Sequence, residues 1–221
     1  MSLKNYKIVG LTTLALGLVS TAQAGFVTTS NVAPVATTIG IVNNNEFKSI
    51  LAGYGVTEYT LGAKLGVNEI GSVTYYYYGK EAGYQNVFTT GPLSYSTGFS
   101  PTWQNNFGHA VTIGTVDNLW GILDFRFCSY SAPGVGEGCV TNTQNDALGL
   151  NYRQSIAYSV SGNTAWLFWD DSGAGPDDIH DDMIIKAVFT PKAVPEPATL
   201  GLFGLGLLGV WAGSRRRLRK A

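Results

Sequence analysis

The chain has 221 residues, a mass of 23.6 kDa and a formal charge of -1, from 14 Lys+Arg against 15 Asp+Glu. The charge is unevenly spread: residues 25–192 hold 7 basic and 14 acidic residues, a net of -7, between two basic ends. Such a middle has no surplus cations to neutralise phosphates, which excludes a basic nucleic-acid binder. The length allows one domain, and 13% charged residues with 28 Gly argue against a helical bundle or coiled coil.

Residues 1–24 read as a secretory signal peptide. Lys4 and Lys7 make a positive start, Ile8 to Val19 is apolar, and Ala22-Gln23-Ala24 supplies small residues for cleavage. The apolar run is too short for a membrane anchor. The mature chain is then expected to begin at Gly25.

Residues 25–192 read as one β domain. Residues 25–45, rich in Thr, Asn and Val, suit an edge strand or a loose lead-in. Phe47, Ile50 and Leu51 at helical spacing before Gly53 predict one short helix over residues 45–53, capped by Asn44 or Asn45. Strand signals follow at Val56–Leu61, Ser72–Tyr78, Ala110–Val116 and Leu119–Phe127. In the last, Leu123, Phe125 and Phe127 share one face, with Asp124 and Arg126 on the other. Ser155–Val160 and Thr164–Trp169 flank Ser161-Gly162-Asn163, a hairpin turn, and Met183–Phe189 is the last strand. Seven to nine short strands predict an all-β fold, an antiparallel β-sandwich of jelly-roll type with one short helix.

Cys128 and Cys139 are the only cysteines, and an oxidising destination favours pairing them across the Gly-rich stretch 129–138. The densest polar feature is residues 169–182, where Asp170, Asp171, Asp177, Asp178, Asp181 and Asp182 fall between two strands. Like charges at this density need water or a cation, and Ca²⁺ takes six to eight oxygens in a flexible cage. The spacing is not that of an EF-hand loop. A solvated acidic turn and a calcium site are both open readings here. The stretch Asp181-Asp182-Met183-Ile184-Ile185, acids running into an aliphatic strand, resembles secreted calcium-associated β domains of surface and adhesin-like proteins. That resemblance implies Ca²⁺ at the six aspartates.

A second stretch runs from Tyr75 to Phe88. Glu81 and Asn86 offer oxygens to an ion or a sugar, and Tyr84, with Trp103 further on, offers rings for stacking on a sugar. Strand packing is the plainer account of the tyrosines. Neither His109 nor His180 lies in a nucleophile–base motif, and no hydrolase, metalloprotease, phosphate-binding or dinucleotide signature is present. The domain is therefore expected not to be an enzyme.

The C-terminal segment has three parts in order. Pro195-Glu196-Pro197, within a linker at 193–197, is followed by an apolar run at 198–213 and a basic tail at 214–221 with Arg215, Arg216, Arg217, Arg219 and Lys220. Sixteen residues make a helix of about 24 Å, barely a transmembrane span, and the arginines are expected to stay cytoplasmic. This order resembles the PEP-CTERM sorting signal of exported proteins in Gram-negative bacteria. The resemblance implies recognition of Pro195, Glu196 and Pro197 by exosortase, transient anchoring in the inner membrane, removal of the helix, and delivery to the cell surface or medium with exopolysaccharide and biofilm. The expected role is a surface or matrix structural or interaction protein. A carbohydrate-binding module is the alternative, and a polysaccharide-acting hydrolase is less favoured.

Overall fold

The computed structural model describes residues 24–29, 35–38, 47–99, 103–147, 154–171, 180–193 and 206. The signal peptide up to residue 23, Pro195–Pro197 and the apolar run, Gly206 excepted, lie outside these residues, as do Asp177 and Asp178. Among the described residues no helix is long and apolar enough to cross a membrane.

In chain order the strands are β1 (Phe26–Thr29), β2 (Val35–Thr38), β3 (Glu58–Leu61), β4 (Lys64–Glu81), β5 (Gln85–Thr90), β6 (Leu93–Ser96) and β7 (Trp103–Asn105). They continue with β8 (Val111–Ile122), β9 (Phe125–Ala132), β10 (Val135–Thr141), β11 (Ser155–Ser161), β12 (Thr164–Asp170) and β13 (Met183–Pro191). A helix, α1 (Lys48–Gly53), precedes β3, and a 3₁₀ segment spans Asn142–Ala147. The fold is all-β and antiparallel, as expected. A nine-stranded sheet follows the order β1-β4-β13-β12-β11-β3-β2, with β7 and β8 also paired to β4. A four-stranded sheet, β10-β9-β5-β6, packs against it.

The strands exceed the seven to nine expected because pieces of three or four residues, such as β6 and β7, are too short to show a period. The helix starts at Lys48 after Phe47, without a side-chain cap, rather than after Asn44 or Asn45. The stretch 129–138 is not an open loop but part of the β9–β10 hairpin. Cys128 and Cys139 face each other in it, with Cα atoms 4.1 Å apart and sulfurs 2.04 Å apart. In the loop-entropy account such a short closure contributes about 3 kcal/mol.

The alternation over Leu119–Phe127 divides between two sheets. Strand β8 ends at Ile122 in the large sheet, and β9 begins at Phe125 in the small one. Leu123, Phe125 and Phe127 are nonetheless all buried, as the period of two demands.

The inner face of the large sheet presents Tyr75, Tyr77, Tyr158, Leu167, Trp169, Ile185 and Ala187 to Phe88, Phe125 and Phe127 of the small sheet. Phe127 stacks on Trp169 with ring centroids 5.4 Å apart, and Tyr75 meets Phe88 at 5.1 Å. Part of the outer face is covered as well. Helix α1 and its flanks lay Phe47, Leu51 and Val56 over Tyr78, Trp166, Phe168 and Ile184. Strand β12 is therefore apolar on both faces, which explains its unbroken run Ala165–Trp169. Gly71 is required where β4 passes β13, because a Cβ there would collide with the Phe189 ring and the Thr190 carbonyl.

Candidate functional site

The end of the sandwich where β4 and β12 stop and β13 starts gathers the acidic residues. Asp170 closes β12, Asp171 follows it, and Asp181 and Asp182 precede Met183. All four are buried, at 1%, 5%, 0% and 8% exposure. For these four the solvated acidic turn is thus overturned. The backbone holds them there, since Asp182 N–H donates to the Trp169 carbonyl at 3.1 Å and Glu81 N–H to the Asp181 carbonyl at 2.9 Å. At Asp181 and Asp182 these bonds extend the strand pairing beyond β13.

Asn86 is the keystone of the surrounding network. Its Nδ2 donates to Asp171 Oδ2 at 2.7 Å and to the Asp182 carbonyl at 3.0 Å. Its Oδ1 accepts from Ser129 Oγ at 2.8 Å and Trp169 Nε1 at 3.3 Å. Asp171 N–H donates to Asp182 Oδ2 at 2.7 Å, and Gln154 Nε2 to the Asp171 carbonyl at 3.0 Å. Asn86 is fully buried, so it is not available to a sugar at the surface. It orients the aspartates instead.

Burial pushes the Asp182 carboxyl well above the usual carboxylate range, and the neighbouring Asp171 carboxylate adds to this. The opposing cation is Lys80, itself buried. Burial pulls its ammonium below the ordinary lysine value, while Asp171, Asp182 and Glu81 push it back up. Lys80 Nζ donates to the Tyr84 and Gly98 carbonyls, each at 3.1 Å.

Glu81, Asp181 and Asp182 each present a carboxylate oxygen within 4.8 Å of the others. Two oxygens bound to one Ca²⁺ at about 2.4 Å lie at most about 4.8 Å apart, so the three fit a common hard cation. Three carboxylates leave further positions on a six- to eight-coordinate ion to carbonyls or water.

Beside this cluster, Ser155 Oγ and His180 Nε2 are 2.7 Å apart, and His180 Nδ1 stands 4.0 Å from Asp170 Oδ2. The residue types are those of a nucleophilic relay, but 4.0 Å exceeds a hydrogen bond. His180 also holds a φ of 51°, a conformation L residues adopt rarely.

Trp103 and Tyr84 border this cluster. Trp103 stands opposite Glu81 in register, 44% exposed, with one face stacked on Phe47 at 6.0 Å and 5°. Tyr84 is half-buried in the turn after β4. The structure therefore joins Glu81, Asn86, Asp170, Asp171, Asp181 and Asp182, and adds Lys80, Ser129, Gln154 and His180. A lysine closing a tyrosine strand was a readable sign for Lys80; Gln154 and Ser129 carried none.

Among known families, the PEP-CTERM protein-sorting motif matches residues 193–217. The match covers the tail alone and does not support the resemblance of the acidic stretch to calcium-associated domains. No curated protein and no solved structure matches the chain.

Proposed function

Because the chain carries a PEP-CTERM sorting motif, which implies processing by exosortase and surface display, we propose that it is a non-catalytic structural or interaction protein of the cell surface and exopolysaccharide matrix. The motif at residues 193–217 is the observation that carries the reading. The precursor is read as held in the inner membrane by residues 198–213 until processing. The described chain leaves the sandwich beside Ile70, where Lys192 N–H donates to its carbonyl, at the far end of β13 from the acids. Nine residues of strand separate the two by about 30 Å. The acids and Lys192, which leads toward the sorting motif, therefore lie at opposite ends of β13.

Ca²⁺ at Glu81, Asp181 and Asp182 is part of this reading. Its support is the burial of Asp181 and Asp182 and the convergence of their carboxylate oxygens with that of Glu81. The ion would tie the ends of β4 and β13 together. A carbohydrate-binding module is the second reading, favoured by the exposed ring of Trp103.

Replacing Glu196 with Ala tests the sorting. The variant is expected to accumulate at full length in the inner membrane, scored by fractionation and blotting. Normal processing and surface delivery of that variant would overturn the reading.

A further inference from the structure

On the outer face of the large sheet a cavity of about 280 Å³ opens beside the end of α1, at Tyr54, Gly55 and Val56. Lys186 projects into it from β13. Its Nζ lies 5.4 Å from the Trp166 ring centroid, 5.9 Å from Tyr78 and 6.0 Å from Tyr54. Three rings at this range attract the ammonium through their faces but accept none of its three N–H bonds in ordinary geometry. Among the described residues no carboxylate lines the cavity. The rings hold the cation in place and leave its donors for a ligand.

The rest of the lining is of one kind. Ser159, Ser161 and Thr164, on the β11–β12 hairpin, add three hydroxyls. Register sets Ser159 opposite Trp166 and Trp166 opposite Lys186, so hydroxyl, ring and cation form one row across three strands. Tyr54 forms the wall. Its hydroxyl donates to the Phe107 carbonyl at 3.0 Å, which fixes the ring while leaving the residue 46% exposed. A fixed exposed ring, several hydroxyls and one preset cation match a ligand with an apolar C–H face, several hydroxyls and one negative charge.

We infer that this cavity binds an anionic saccharide, one carboxylated sugar unit, with Lys186 pairing the carboxylate, the hairpin hydroxyls taking ring hydroxyls and Tyr54 stacking on the ring. The volume, near the lower end of ligand pockets, suits one unit. An acidic peptide would use the lysine and leave the three hydroxyls without partners, which is why the sugar is favoured. The inference rests on the reading of the domain as a matrix interaction module.

The test is saturation-transfer NMR on the full chain in detergent, with sodium glucuronate and glucose as probes and a pentaglutamate peptide as competitor. Wild type is expected to bind glucuronate at least tenfold more tightly than glucose. Lys186→Gln should bring glucuronate to the level of glucose, since a charge-assisted hydrogen bond is lost. Ser161→Ala, an exposed change that cannot unfold the sheet, should weaken glucuronate severalfold. Equal binding of the two sugars, unchanged binding in either variant, or displacement by pentaglutamate at equal concentration would overturn the inference. Tail processing is scored in parallel in producing cells: processed protein that ignores glucuronate sinks the cavity alone, and unprocessed protein that binds it sinks the sorting alone.

Discussion

Asn86 offers the sharpest test of how the acidic end is held. Replacing it with Ala removes four hydrogen bonds at once, two to the aspartate segments and two from the small sheet and Trp169. Trp169 Nε1 keeps a partner, because it also donates to Ser129 Oγ at 3.0 Å. Three groups are left short: the Asp171 carboxylate, the Asp182 carbonyl and the Ser129 hydroxyl. A bond to a charged group is worth about 1.5–3 kcal/mol and a neutral one about 1 kcal/mol, so the loss is about 3–5 kcal/mol. Domains of this size lose about 2–4 °C of Tm per kcal/mol, which places the expected drop between about 6 and 20 °C. Thermal melting by circular dichroism, with urea unfolding to confirm an unchanged slope, measures it. Asn142→Ala is the control. Asn142 is also fully buried, bonding Leu65, Leu123 and Tyr158, but stands apart from the aspartates. Both variants should lose stability, and only Asn86→Ala should also weaken any response to Ca²⁺. A drop below about 3 °C for Asn86→Ala, or an equal change of calcium response in both, would refute the reasoning.

The calcium reading predicts that a chelator lowers the Tm. At a free ion concentration a hundred times the Kd the stabilisation is about 2.7 kcal/mol, or about 5–11 °C; Asp181→Asn with Asp182→Asn should abolish the difference, and identical melts of wild type with and without chelator would count against the site. Alkaline pH should unfold the domain steeply. Burial raises the phenol pKa of Tyr75, Tyr77, Tyr95 and Tyr158 above the ordinary value. Below pH ~10 these phenols are protonated in both states and their contribution is fully present. As pH rises above that, the unfolded chain ionises first, so stability is lost. Absorbance at 295 nm should show these tyrosines ionising in one cooperative step with unfolding; independent titration near pH 10 would contradict their burial. Ser155, despite its bond to His180, is expected to resist a fluorophosphonate probe, and stoichiometric labelling by mass spectrometry would revive the hydrolase reading.

How much was legible depended on the range of the interaction that produced each feature. The hairpin at Gly162-Asn163 was readable because its cause is local: Gly162 takes a φ of 55°, which suits the first central position of a II′ turn. The alternation Leu123, Phe125, Phe127 was readable for the same reason, since side-chain direction follows from the strand itself. The sheet assignment of those residues was not, because hydrogen-bond partners come from β4 and β5, far away in the chain. The six aspartates were visible as a charge anomaly, but the burial of Asp170, Asp171, Asp181 and Asp182 was not. Whether an acid is solvated or enclosed depends on what β4 and β5 place over it.

The sequence alone determined that this is an acidic all-β domain between basic ends, with Pro195-Glu196-Pro197 as its address, because composition, periodicity and a terminal motif are properties of neighbouring residues. Tertiary structure alone decided that Asn86 is a buried strut and not a surface contact. It also decided that Lys80 and Lys186 are set to different tasks, one enclosed against carboxylates and one caged by rings beside an open cavity. Long-range strand pairing assigns such roles, because it fixes which side chains share a face and how much water reaches them.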